Sequence, residues 1–204
     1  MSKPDNTHWR ALDHLWDYLE NYPNLVLNYD CSNIDLKGLV VEGYSDSDWA
    51  QDPDKRLSTS GNVFTLARDQ NIISWYSSLQ KTISLSSCEA EYIAITDASN
   101  EGIFLNNILS FLLKGLGYNP SNSIPRLLVD NLSAKSLSEN PEFHRRTKYI
   151  ELRYYKIREY IEEGKIRVIY VNTKENLADG FTKGLQRPLH ESMFLTKMRL
   201  KRLK

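Results

Sequence analysis

Three short strand-like runs joined by turns, followed by one long helical run, confine this chain to few folds. The runs are Leu39–Asp46, Gly61–Leu66 and Ile72–Ser77, and their connections carry the turn formers Asp52-Pro53-Asp54 and Arg68-Asp69-Gln70-Asn71. Connections this short suit antiparallel neighbours. The helical run extends from about Ser87 to Lys114. It opens with a capping box, Ser86-x-x-Glu89, in which each side chain satisfies the other's free backbone N–H, and it closes at Gly115 and Gly117.

The remaining elements follow the same logic. Leu127–Val129 reads as a short buried strand, with a brief helix at Asn131–Ser138 and a loop containing Pro141 after it. Ile150, Tyr154, Ile157 and Ile161 share one face of a further helix that stops at Gly164. Ile166–Val171 is the last strand, and Thr173 reads as the cap of a final helix. Upstream, Trp9, Leu12, Trp16 and Leu19 predict an amphipathic helix over residues 7–21 that ends near Pro23, with a short strand at Leu25–Tyr29. The order βββαβααβα specifies an α/β fold, a mixed sheet with helices packed on it.

Four carboxylates sit at the ends of different elements. Asp46 closes the first strand, Glu91 lies in the long helix, Asp130 ends Leu127-Leu128-Val129, and Asp179 follows the last strand. Carboxylates that converge repel one another, so they need cations between them or must take up protons. Oxygen-only ligands suit Mg²⁺ or Mn²⁺, and a pair of such ions can cut phosphodiester bonds. Glu89 is set aside because it has a capping role and lies about 200° around the helix from Glu91. Asp48 is assigned to the turn. Asp130 could also cap the helix after it, and Asp179 could be a solvated helical acid.

Formal net charge is zero, with 26 basic and 26 acidic residues, which argues against bulk positive charge as the grip on nucleic acid. Basic residues instead cluster at His144, Arg145, Arg146 and Lys148, and again at Lys197, Arg199, Lys201, Arg202 and Lys204. The first cluster is a candidate substrate contact, and the second reads as a frayed, solvated tail. Ser58, Thr59 and Ser60 offer hydroxyls to phosphate beside Gly61, although a hairpin connection accounts for them equally well. Trp49 and Trp75 are read as core. Cys31 and Cys88 have no metal-like spacing and read as reduced thiols. There is no apolar run long enough for a membrane span and no secretion signal.

Six segments, in order, carry a family resemblance: Tyr44-Ser45-Asp46-Ser47-Asp48-Trp49, Ser58-Thr59-Ser60-Gly61, Leu85-Ser86-Ser87-Cys88-Glu89-Ala90-Glu91-Tyr92, Val129-Asp130-Asn131, Arg146-Thr147-Lys148 and Leu177-Ala178-Asp179. Together they resemble the ribonuclease H domain of copia-type retrotransposon polyproteins, from about Gly43 to Leu185. The resemblance implies a five-stranded ribonuclease H-like sheet and cleavage of the RNA strand of RNA–DNA hybrids during reverse transcription. It implies Asp46, Glu91, Asp130 and Asp179 as catalytic residues and ligands of two Mg²⁺ ions, with Mn²⁺ as an alternative. The His8-Trp9-Arg10-Ala11-Leu12 segment resembles the end of the connection from reverse transcriptase. Residues 1–38 are therefore expected to be connection-like, 39–186 the ribonuclease H-like domain and 187–204 a basic tail. The expected partners are hybrid and the reverse-transcriptase domain, with no membrane. The expected place is the cytoplasm, within a virus-like particle if the parent element is intact.

The chain departs from the family pattern in three places. Val171-Asn172-Thr173-Lys174-Glu175 lacks the histidine that often precedes the last acid, Tyr149 and Glu151 replace the usual His and Asp, and Gly184 stands where Pro is common. The first two bear on rate and proton handling, not on the metal site. Two other readings stand beside this one. An integrase-like strand-transfer core would draw on Glu162 or Glu163, and a catalytically silent, connection-like module would only position hybrid.

Overall fold

The computed structural model describes residues 4–29, 32, 35–66, 71–118, 123–132 and 148–202. Helix α1 (Asn6–Asn21) leads into the two-residue strand β1 (Leu25–Val26). Strands β2 (Val41–Ser47), β3 (Thr59–Leu66) and β4 (Asn71–Leu79) precede the long helix α2 (Ser87–Gly115). Strand β5 (Arg126–Val129), helix α3 (Lys148–Glu162) and strand β6 (Arg167–Tyr170) follow. The five-stranded sheet has the order β4-β3-β2-β5-β6. Strands β2, β3 and β4 pair antiparallel, as the short connections required, while β5 and β6 join parallel to β2.

Strand β2 is buried along nearly its whole length because both faces of the sheet are covered. On one face Val41, Phe64, Leu127, Val129 and Val168 pack with Tyr92, Ile95 and Ala98 of α2 and Ile157 of α3. Gly43 is required here. A Cβ at that position would stand 2.2 Å from Cε1 of Phe64, so only glycine lets the ring lie flat on the strand. On the other face Tyr44, Val63 and Ile72 pack with Leu177, Ala178, Met193 and Met198. Helix α3 ends as its sequence requires, with Gly164 at φ +67° and the Lys165 N–H returning to the Tyr160 carbonyl at 2.7 Å.

Several expectations need correction. The final helix expected to carry Asp179 is instead two 3₁₀ turns, Thr173–Glu175 and Leu177–Phe181. Their caps are Asn172 and Asn176 rather than Thr173, and each asparagine restarts the chain before an α-helix can propagate. The terminal segment expected to fray folds back as α4 (Arg187–Glu191), a π-helical turn (Ser192–Lys197) and β7 (Lys201–Arg202), which pairs with β1. Its buried Met193 and Met198 outweigh the basic residues around them. Trp49 and Trp75 are not core, being 51% and 55% exposed. Most of the helix expected over Asn131–Ser138, the loop at Pro141, and residues 68–70 of the second strand connection lie outside the described residues. Among the described residues, no helix is long and apolar enough to cross a membrane.

Candidate active site

Strand register brings the first two acids together. Parallel pairing sets Ser45 opposite Val129, so the next residue along each strand, Asp46 and Asp130, stand side by side where the two strands end. Glu91 enters from α2, whose start is pinned to the sheet by Gln80. The Gln80 side-chain amide donates to Ser60 Oγ and the Ala90 carbonyl, each at 2.9 Å, and accepts from Ser84 Oγ at 2.9 Å. Oxygens of Asp46, Glu91 and Asp130 all lie within 4.8 Å of one another, and this is the one such group of potential metal ligands among the described residues. Asp179 joins them along an open cavity of about 350 Å³, which Asn131, Leu132, Thr173 and Lys183 also line.

The turn bearing Asp179 is held by Asn176, which is fully buried. Its Nδ2 donates to the Ser45 carbonyl at 3.0 Å, and its Oδ1 accepts from the Ala178 N–H at 3.1 Å. The next residues of the turn lie over β3. A Cβ on Gly61 would come within 2.8 Å of Thr182 and 2.9 Å of Phe181, so that glycine serves a close approach by the protein's own chain. The approach lets the Thr182 hydroxyl donate to Asp46 Oδ2. Lys183 pairs with Asp179 across the following turn. Sequence reasoning passed over Gln80 and Asn176. The only cue was an asparagine before Leu177 in a capping position, and the buried Gln80 left none.

The electrostatics are those of a cluster short of positive charge. Burial, and then the charges of Asp130 and Asp179, push Asp46 up to about 6, against the opposing Thr182 hydrogen bond and Lys183. Burial, and then Asp46 and Asp130, push Glu91 up to about 9. Burial lowers the Lys183 pKa, but its pairing with Asp179 and the nearby Asp46 and Asp130 leave it raised on balance. Glu91 Oε2 is buried without a hydrogen-bond partner. An all-oxygen donor set, short spacings and an orphaned buried carboxylate oxygen together fit a hard divalent cation.

The other residues singled out from the sequence fare differently. Glu89 takes the helix-capping role: its backbone N–H bonds Ser86 Oγ at 3.2 Å, while its carboxylate accepts from the Leu85 N–H at 2.8 Å rather than from Ser86. Asp48 accepts from the Thr59 N–H and so serves the turn. Ser58 and Ser60 are buried, with Ser58 Oγ accepting from the Ala50 N–H at 3.0 Å and Ser60 Oγ accepting from Gln80. Thr59 is half-buried between them. Lys148 is the first residue of α3, whereas Arg145 and Arg146 lie outside the described residues. Glu163 pairs with Lys165 at 2.5 Å, and neither it nor Glu162 lines the cavity, so the geometry lends an integrase-like site nothing.

This sheet, with acids delivered to one end of it by β2, α2, β5 and the turn after β6, belongs to the ribonuclease H fold class. The chain superposes on a ribonuclease H1 from compost, solved in complex with an RNA/DNA hybrid, with TM-score 0.50 and 14% identity over 70% of this chain and 93% of that one. It also superposes on the foamy viral protease–reverse transcriptase in complex with dsDNA, with TM-score 0.51 and 14% identity over 84% of this chain and 30% of that one.

No protein-family model matches the chain. By sequence it belongs with the copia-type, retrovirus-related Pol polyproteins of transposons. It is 36% identical over 187 residues to that of transposon TNT 1-94 from Nicotiana tabacum, covering 92% of this chain and 13% of the polyprotein. With that of transposon RE2 from Arabidopsis thaliana it shares 39% identity over 187 residues, 92% of this chain and 12% of the polyprotein. It therefore spans about an eighth of the length of these relatives. A third relative, the secreted RxLR effector protein 161 of Plasmopara viticola, is 40% identical over 104 residues, 51% of this chain and 69% of the effector.

Proposed function

We propose that this chain is a ribonuclease H that hydrolyses the RNA strand of RNA–DNA hybrids during retroelement reverse transcription. The observation that carries the reading is the convergence of Asp46, Glu91 and Asp130 within 4.8 Å, with Asp179 on the same cavity. These four acids would hold a pair of Mg²⁺ ions, or Mn²⁺ in their place. Bound there, such ions supply an acidified water and charge stabilisation for the phosphoryl and leaving oxygens. The chain's own part is to fix the donors: Thr182 orients Asp46, Gln80 seats the start of α2 ahead of Glu91, and Asn176 locks the turn of Asp179 against β2. Cleavage leaves 3′-hydroxyl and 5′-phosphate ends.

Substrate is selected by duplex shape, phosphates and 2′-hydroxyls rather than base edges. Arg145, Arg146 and Lys148 provide the local grip, with Ser58, Thr59 and Ser60 as a second, weaker candidate contact because two of these hydroxyls already serve the protein. Residues 1–38 act as the connection to a reverse-transcriptase domain, 39–186 as the nuclease and 187–204 as a basic terminal segment. The reverse-transcriptase neighbour raises the effective concentration of hybrid. The activity would operate in the cytoplasm, inside a virus-like particle when the parent element is intact.

The test is cleavage of end-labelled RNA–DNA hybrid, RNA duplex and DNA duplex in Mg²⁺, in Mn²⁺ and in EDTA. Metal-dependent cutting of RNA in the hybrid alone is expected. A folded protein that leaves hybrid intact in both metals would instead be the silent positioning module.

A further inference from the structure

We propose that Lys183 is a built-in counter-cation of the carboxylate cavity, seated where it competes with a divalent ion for Asp179. The inference deepens the nuclease reading and rests on the same four acids. Lys183 lines the cavity beside Asp46, Glu91, Asp130 and Asp179, and its ammonium pairs directly with Asp179. That carboxylate is only 17% exposed, while the lysine is 41% exposed, so the anion is fixed and the cation can swing out to water. An ordinary i,i+4 pair on a solvated surface would account for the contact alone. It would not account for the lysine lining the same cavity as four carboxylates.

The neighbouring residue shows how the placement arises. Thr182 is buried and bonded to Asp46, and its side chain contacts the strand at Gly61. Anchoring Thr182 fixes where the backbone leaves the turn, and so directs the next side chain over the acids. Two consecutive residues thus serve two acids, one through a neutral hydrogen bond and the other through a charge. The hydroxyl can stay when a metal ion binds Asp46, whereas the ammonium must give up Asp179 to a second ion. In the metal-free protein the lysine supplies positive charge that no other described residue lining the cavity provides.

The experiment is calorimetric titration of MnCl₂ alone into the wild-type chain, Lys183→Met and Lys183→Arg, with melting temperatures recorded in EDTA. Lys183→Met should bind Mn²⁺ roughly threefold to fivefold more tightly, the upper part of the range for a partly exposed pair. It should also melt lower than wild type in EDTA, with Mg²⁺ narrowing the gap. Lys183→Arg keeps the charge and should stay within about twofold of wild type. Unchanged or weaker Mn²⁺ binding by a folded Lys183→Met protein would overturn the proposal, as would an unchanged melting temperature in EDTA. Because no nucleic acid is present, a failure to cleave hybrid would count against the nuclease reading and leave these results standing. If no variant binds Mn²⁺, both readings fall together.

Discussion

The acid-bearing end of the sheet and the layer built by the two chain termini are held by different kinds of contact. At the first, backbone register fixes Asp46 beside Asp130, and buried side-chain bonds from Gln80, Asn176 and Thr182 lock the other acids to it. At the second, α1 buries none of its residues, and Trp9 and Trp16 stay 64% and 63% exposed. What ties α1 down is the Tyr22 hydroxyl donating to Glu191 at 2.7 Å, Tyr18 edge-on to His190 at 5.3 Å between centroids, and the two-residue pairing of β1 with β7. The four acids are thus placed by sheet strands and by elements bonded to them through buried side chains, whereas the contacts of α1 can open locally. Substitutions at the acid end should therefore change chemistry or the whole fold, and those at the contacts between α1 and α4 should do neither.

The largest contrast is expected at Asp46. Replacing it with Asn nearly preserves shape but removes the charge at the centre of the cluster. Cleavage of hybrid should fall at least ~10²-fold, about 2.7 kcal/mol of barrier, with the circular dichroism spectrum unchanged. Glu89→Gln, two residues from Glu91 but committed to the helix start, should leave the rate within about twofold. A fast, folded Asp46→Asn protein would remove the basis for treating this end as the reacting one.

Gly43 tests whether the sheet beneath the acids is as unyielding as its packing implies. An added methyl would meet the Phe64 ring at 2.2 Å, with strand backbone on one side and core on the other. Gly43→Ala should cost about 1–3 kcal/mol in urea unfolding, the usual range for overpacking. A neutral result would mean that Phe64 has room to move and that the acid end is softer than the comparison requires.

A third effect couples metal to pH. In the metal-free fold Asp46 is raised to about 6 and Glu91 to about 9, both above their ordinary values of 3.8 and 4.5. The stability they contribute is fully present below the ordinary values and is lost as pH rises through the folded ones, because burial then holds two repelling anions. Mg²⁺ requires the ionised forms and offsets that loss. Its stabilisation, about 1.4 kcal/mol at ten times the dissociation constant, should therefore be larger at pH 8.5 than at pH 5.5. Melting curves with Mg²⁺ and with EDTA at the two pH values measure it, and an equal gain at both would place the binding elsewhere.

The same contrast explains how far the sequence could be read. Strand ends carrying Asp46 and Asp130, the helix start at Ser86 and the stop at Gly164 were legible because each signal is local: alternation, a cap, a glycine with positive φ. The turn carrying Asp179 was misread because helix propensity says nothing of two asparagines whose side chains compete with the backbone. Gln80 and Asn176 were passed over because a buried, hydrogen-bonded amide looks in sequence like a surface one. Trp75 was assigned to the core by its hydrophobicity, yet β4 is an edge strand whose outer residues face water. The terminal layer was the least legible, since Tyr22 and Glu191 are separated by 169 positions and no local pattern joins them.

That layer gives the smallest expected effect, and so the sharpest check on the comparison. Tyr22→Phe removes the hydroxyl that donates to Glu191, which also pairs with Arg187 at 3.2 Å, while keeping the ring beneath the Arg202 guanidinium. The bond is only part-buried and lies away from the acids, so global unfolding should move little and cleavage of hybrid should be unchanged. Hydrogen exchange should nevertheless quicken in residues 6–22 and 187–191 together, because Tyr18 and Tyr22 tie these two segments to each other. Slower cleavage by Tyr22→Phe, or faster exchange spreading into β2 and α2, would show that the terminal layer is coupled to the acid end. The two regions would then have to be treated as one cooperative unit rather than as a fixed acid-bearing edge and a separately opening contact between α1 and α4.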